Sequence, residues 1–203
     1  MIDRSLRATK DRLSRPIVVR LSRRVGPFWL TGLSLLGGVG GGVLAAFGLR
    51  WIALAVWLLG RFCDGLDGAV AREQGRQTDL GGYLDMLADT VGYAAVPIGI
   101  AAAINSTAVW AWCAILLATF YLNTMSWTYL AAVAEKRDAG ARTTGEATTV
   151  HMPTGLVEGA ETIVLFSAML AFPGAARGWF ALMAVLVTVT VMQRVLWAAK
   201  SLR

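Results

Sequence analysis

Hydrophobic positions in this chain run in long unbroken blocks, and the polar positions gather in short stretches between them. Residues 25–49 carry no charge over 25 positions, and residues 90–134 carry none over 45. The first block is long enough for one membrane-spanning helix and the second for two, with Asn105-Ser106-Thr107 as the natural break in the longer run. Two later blocks, 162–176 and 178–193, are separated by Pro173-Gly174 and Arg177, which read as a turn between two further helices. The remaining helix is less uniform. Residues 51–60 are apolar, but a helix of spanning length must continue through Arg61, Asp64 and Asp67, so its second half must face protein or water. The pattern thus predicts six helices, at about 27–49, 51–73, 80–104, 107–134, 155–173 and 177–199.

Composition turns this pattern into a fold class. With 203 residues, 56% hydrophobic and only 16% charged, the chain is too apolar for an ordinary soluble domain and too short for two large ones. It reads as one all-α integral membrane domain with six transmembrane helices, residues 25–203, behind a basic cytoplasmic or juxtamembrane segment, residues 1–24. That segment holds eight basic side chains, Arg4, Arg7, Lys10, Arg12, Arg15, Arg20, Arg23 and Arg24, against Asp3 and Asp11. Such a bias places the N-terminus in the cytoplasm, and six spans return the C-terminus there. Arg72, Arg76, Lys136, Arg137, Arg142, Lys200 and Arg203 then also fall on the cytoplasmic side, leaving Arg50 and Arg177 opposite.

The net charge of +6 sits at helix ends rather than on a soluble domain, so it points to a membrane surface and not to nucleic acid. Ile17, Val18, Val19 and Leu21, interleaved with the N-terminal arginines, suit a segment lying along anionic headgroups, or charges that only fix topology. The first apolar stretch is longer than a signal-peptide core and follows a long basic leader, so no cleavable signal is expected. Cys63 and Cys113 lie in predicted spans and suggest neither a disulfide framework nor a zinc site. The protein is expected in the cell membrane, multi-pass.

Candidate chemistry lies between the second and third helices. There the chain reads Asp64-x2-Asp67-Gly68-x2-Ala71-Arg72-x8-Gly81-x3-Asp85-x3-Asp89. An i,i+3 pair and an i,i+4 pair each project from one face of a helix, so two helices can converge four carboxylates on one point. Such a cluster repels itself unless neutralised. An all-oxygen donor set suits magnesium, manganese or calcium rather than zinc, and an ion so held is a tool for handling phosphate. Carboxylates at this depth are costly and usually functional.

The ordered string resembles the signature of the CDP-alcohol phosphatidyltransferase family, with every defining position filled. The resemblance covers nearly the whole chain in length and layout, and its residue-level specificity is confined to 64–89. It implies an enzyme of phospholipid biosynthesis that transfers a phosphatidyl group from a CDP-linked lipid, such as CDP-diacylglycerol, to the hydroxyl of a small alcohol and releases CMP. Magnesium or manganese, two ions held by Asp64, Asp67, Asp85 and Asp89, would bridge the diphosphate. By the same resemblance Asp89 is the general base. Gly68, Ala71 and Gly81 let the nucleotide approach the helix backbone, and Arg72 either offers a planar charged fork to phosphate or anchors topology. The active site would face the cytoplasm, and a homodimer is implied. One position departs from the family, whose first span often begins Pro-Asn-x-Leu-Thr. This chain reads Pro27-Phe28-Trp29-Leu30-Thr31, so no donor-site role is carried onto Phe28.

The acceptor is less marked. Lys136, Arg137 and Arg142 would suit a phosphorylated acceptor or simply the positive-inside pattern, while Glu158 and Glu161 share a helix face and would bind hydroxyls or an ammonium group, or pair with arginines. Glycerol 3-phosphate is favoured, with inositol phosphate, inositol, serine or another amino alcohol as alternatives. His151, the only histidine, reads as a loop residue. Gly37 with Gly41, and Gly38 with Gly42, allow close helix approach, internally or between copies. A rival from another class is a divalent cation transporter, which requires acids strung across several helices at mid-membrane depth.

Overall fold

The computed structural model describes residues 15–137 and 155–202. Among these residues the regular structure is all helical, and each of the six helices read from the sequence is present. They are α1 (Pro27–Ala46), α2 (Arg50–Glu73), α3 (Asp79–Ile104), α4 (Thr107–Lys136), α5 (Gly159–Ala171) and α6 (Ala176–Ser201). A further short helical segment over 15–22 precedes α1.

Local chemistry sets the boundaries. Pro27 opens α1, where a missing N–H costs nothing. Gly48, at φ +76°, reverses the chain before α2. Thr78 caps α3 by accepting from the Gly81 N–H at 3.1 Å. Asn105 takes the left-handed conformation, φ 47°, and ends α3 at the predicted break. The fifth helix departs from expectation: it runs for 13 residues from Gly159 rather than from 155. The reason is a capping box in which the Glu158 side chain accepts from the Glu161 N–H, and Glu161 accepts from the Glu158 N–H at 3.2 Å.

Four helices, α1, α3, α4 and α6, are long and apolar enough to cross a membrane. Helix α2 falls short because its second half is charged, and α5 because it is short. Each buries one face in the core: Trp57 of α2 stacks on Phe166 of α5 at 5.5 Å, with Tyr93 edge-on to Phe166 at 5.3 Å and Phe120 at 6.2 Å. Large apolar side chains such as Leu36, Tyr121, Val164 and Leu196 are exposed, as a lipid-facing surface requires. Trp29 and Trp51, near helix ends, are exposed as well.

Gly37, Gly38, Gly41 and Gly42 of α1 are consumed internally. A Cβ on Gly37 would lie 2.5 Å from the Gly60 Cα, and one on Gly38 would lie 2.6 Å from the Gly92 Cα. Helix α1 therefore lies with its backbone directly against α2 on one side and α3 on the other, and the small-residue stripe is intramolecular packing.

The N-terminal segment docks on this trio. Val18, Leu21 and Val25 pack against Leu30, Leu66 and Val70, and the Gln74 Nε2 donates to the Ser22 and Val25 carbonyls at 2.7 and 2.9 Å. Gln74→Ala removes both bonds, each worth about 0.5–1.5 kcal/mol net. It should speed limited proteolysis between Arg20 and Arg24 severalfold at unchanged α1 to α3 packing, as read by mass spectrometry of the cleaved ends.

Candidate active site

A turn at residues 74–78 joins α2 to α3, and both helices pack on α1, so the C-terminal part of α2 and the N-terminal half of α3 face each other through their side chains. Asp64 and Asp67 stand one turn apart on α2, and Asp85 and Asp89 one turn apart on α3. The two helices are linked here through Arg61, which lies against both Asp64 and Asp89, while Asp67 and Asp85 stand one turn nearer the connecting turn.

Helix α1 completes the ring. Thr31 donates to Asp67 Oδ2 at 2.7 Å, and Ser34 donates to Asp64 Oδ1 at 3.1 Å. The Gly68 N–H reaches Asp67 Oδ1 at 2.5 Å. Arg61, one turn before Asp64, is 6% exposed. Its Nη1 bonds Asp89 Oδ1, lies 3.6 Å from Asp64 Oδ1 and donates to the Tyr93 hydroxyl at 3.3 Å, while Nη2 donates to Ser34 at 2.9 Å. The guanidinium also stands over the Tyr93 ring, 5.0 Å from its centroid.

Four carboxylates against one guanidinium leave this centre with excess negative charge in partly buried surroundings, and Asp85 Oδ1 is buried without a hydrogen-bond partner. Both features fit a divalent cation, and the donors are hard oxygens of the right kind. Among the described residues no three acidic, histidine or cysteine side chains already converge as a closed ligand set; the carboxylates stand as two pairs, one of them engaged by Arg61.

The other residues of the string lie alongside. A Cβ on Gly68 would meet Arg72 Nη1 at 3.4 Å, so the Arg72 guanidinium passes over that glycine, while Ala71 is half-buried on the same helix. Gly81 is tied to the cap of α3, where a Cβ would meet Thr78 Oγ1 at 3.2 Å. Phe28 is 49% exposed at the start of α1, and it is Thr31, one turn on, that reaches the aspartates.

The acceptor candidates are dispersed. Lys136 and Arg137 are exposed at the end of α4, with Arg137 Nη2 donating to the Leu202 carbonyl at 3.0 Å. Glu158 and Glu161 are engaged in the α5 capping box, and Glu158 Oε1 also accepts from the Gly155 N–H at 3.2 Å. Arg142 and His151 lie outside the described residues. Residue spacing gave no sign of Arg194, a buried arginine of α6 whose Nη1 bonds Asn123 Oδ1 of α4, and whose Nε has no partner. Its signal was present as a charge within the predicted sixth helix, directly after the last apolar block, just as Arg61 directly follows the apolar run 51–60. At the other end of the helices lies an apolar recess of about 120 Å³ beside Arg50, Ile100 and Leu170, away from the carboxylates.

Comparison with known proteins agrees with this geometry. The profile of the family described as CDP-alcohol phosphatidyltransferase matches residues 24–193. Inner membrane protein YnjF of Escherichia coli (strain K12) is 38% identical over 155 residues, covering 74% of this chain and 71% of that protein. Among solved structures, the Mycobacterium tuberculosis phosphatidylinositol phosphate synthase PgsA1 with CDP-DAG bound superposes with a TM-score of 0.69 at 25% identity, over 91% of this chain and 92% of that one. The same synthase in complex with manganese and citrate gives 0.67 at 26% identity, over 89% and 86% of the two chains.

Proposed function

The chain belongs to the CDP-alcohol phosphatidyltransferase family and is an enzyme of that kind, and from this premise we propose that it transfers a phosphatidyl group from CDP-diacylglycerol to a small phosphorylated polyol. The observation that carries this reading is the arrangement of two aspartates of α2 and two of α3 around Arg61 and the α1 hydroxyls, with a buried Asp85 oxygen lacking a partner. Acids gathered at one end suit a reaction centre. A transport path would spread them across the membrane.

In the proposed reaction the acceptor hydroxyl oxygen bonds to the phosphorus that carries diacylglycerol. The bond from that phosphorus to the oxygen shared with the cytidine-bearing phosphate breaks, and CMP departs with the electron pair. The hydroxyl proton passes to Asp89, whose Oδ1 is held by Arg61 so that its other oxygen is oriented to receive it. Asp64, Asp67, Asp85 and Asp89 would hold one or two divalent cations, magnesium or manganese. When bound, such an ion neutralises the carboxylates and diphosphate and makes the phosphorus more electrophilic. Thr31 and Ser34 orient Asp67 and Asp64 from the side, and Arg72 beside Gly68 presents a charged fork to the donor phosphates.

All six helices cross the bilayer in this reading, α2 and α5 within the bundle, with both termini and the aspartates on the cytoplasmic side. The basic residues Arg72, Arg76, Lys136, Arg137 and Lys200 at that end support the orientation. They also favour a phosphorylated acceptor, with Arg194 a further buried cation for it. Glycerol 3-phosphate remains the first choice. Inositol phosphate is the second, favoured by the likeness to a phosphatidylinositol phosphate synthase.

Purified enzyme given CDP-diacylglycerol and a panel of glycerol 3-phosphate, inositol phosphate, inositol and serine should yield one dominant lipid product by mass spectrometry, with equimolar CMP. Chelation should abolish it, and magnesium or manganese should restore it. An unchanged lipid pool with every acceptor would overturn the assignment.

A further inference from the structure

We propose that Arg61 is a positioning residue: a built-in cation that holds Asp64 and Asp89 in place while no divalent ion is bound, and that competes with such an ion for them. This role rests on the reading of the four aspartates as a divalent-cation centre.

Arg61 lies outside the aspartate string, yet it touches more of the centre than any carboxylate does. Its partners come from three helices: Ser34 of α1, Asp64 of its own helix, and Asp89 and Tyr93 of α3. Ser34 accepts from Arg61 and donates to Asp64, so the guanidinium grips that carboxylate both directly and through a hydroxyl. A buried arginine is retained only where its charge is matched, and here the match is a surplus of nearby acids.

The consequence is a division of the site. The Asp64 and Asp89 pair already holds a positive charge, while the Asp67 and Asp85 pair has an unpartnered oxygen. Without Arg61 four carboxylates face one another uncompensated, and helices α2 and α3 are pushed apart. With it the centre is assembled before any ion arrives, and an arriving ion must share two of its ligands with a guanidinium. A fixed cation thus lends the empty enzyme stability at the expense of metal affinity. A strut that merely filled space between α1, α2 and α3 would have no such sign.

The test is manganese binding by electron paramagnetic resonance on purified full-length enzyme, with thermal unfolding measured with and without the ion. Arg61→Gln should bind manganese at least about tenfold more tightly than wild type, because one like charge at contact distance is gone. Without metal it should unfold at least about 5 °C lower, and with saturating manganese within about 2 °C of wild type, on the scale of about 2–4 °C per kcal/mol for a chain of this size. Arg61→Lys keeps the charge and should recover most of the metal-free stability. Equal or weaker manganese binding by Arg61→Gln, or the same loss of stability in both conditions, overturns the role. If Arg61→Gln folds only when purified with manganese, that dependence is itself the expected result; failure in both conditions overturns it. Wild-type enzyme that binds no manganese would instead remove the metal centre, and this role with it.

Discussion

Asp89→Asn should release CMP from CDP-diacylglycerol at less than about one hundredth of the wild-type rate while the protein still inserts and melts within a few degrees of wild type. A positioned general base contributes about 10²–10⁴ in rate, and the amide cannot take the acceptor's proton. It can still accept the Arg61 hydrogen bond through its carbonyl oxygen, so the link between α2 and α3 survives. Loss of one negative charge among four close carboxylates also relieves repulsion, which argues against unfolding as the cause. Asp79→Asn is the control, since Asp79 is exposed in the first turn of α3 and belongs to neither pair. Its activity should be unchanged. More than a tenth of wild-type kcat in Asp89→Asn, at saturating metal and acceptor, would remove Asp89 as the base.

Gly99→Leu is the second large effect, and it acts on the fold rather than on the chemistry. A Cβ on Gly99 would collide with the carbonyl oxygen of Gly42, and a Cβ on Gly42 would collide with that of Ala95. Overpacking usually costs about 1–3 kcal/mol because a neighbouring side chain can yield. Here the neighbour is helix backbone on both sides, so α1 and α3 must separate. Against a total stability of about 5–15 kcal/mol, little folded protein is expected, seen as loss of the monodisperse peak in detergent chromatography. Thr31 and Ser34 ride on α1, so any protein that does fold should show CMP release reduced at least tenfold through displaced hydrogen bonds to Asp67 and Asp64. Gly32→Ala, with open space around the added carbon, should be silent in both assays. Normal yield and activity for Gly99→Leu would show that the contact between α1 and α3 does not set the site.

The helices were legible because what defines them is local. Apolar runs, Pro27 at a first turn, Asn105 at a left-handed end and Pro173 after α5 all act within a few residues. The late start of α5 was missed although its cause, glutamates three residues apart, was in plain view. Glu158 and Glu161 read as binding groups or arginine partners in the sequence because side chains able to cap a helix look the same there as side chains able to hold a ligand. The aspartates were legible for a different reason: an i,i+3 and an i,i+4 pair in an apolar setting require compensation wherever they sit.

The partners of those aspartates were not. Thr31 and Asp67 are 36 residues apart, Ser34 and Asp64 are 30 apart, and Arg61 and Asp89 are 28 apart. Each pairing depends on how far one helix is rotated and shifted against another. That register comes from contacts such as Gly38 on Gly92 and Gly37 on Gly60: the i,i+4 glycines of α1 mark a face for close approach, but not which residue of the neighbouring helix it meets.

The amino-acid sequence by itself determined a helical membrane enzyme with four acids at one end, since burial of apolar length and repulsion between neighbouring charges act along a single helix. Only the tertiary structure decided that a threonine and a serine from the first helix, and an arginine from the second, would complete the ring. Hydrogen bonds between helices form where backbones are allowed to touch, and that is settled by packing in three dimensions.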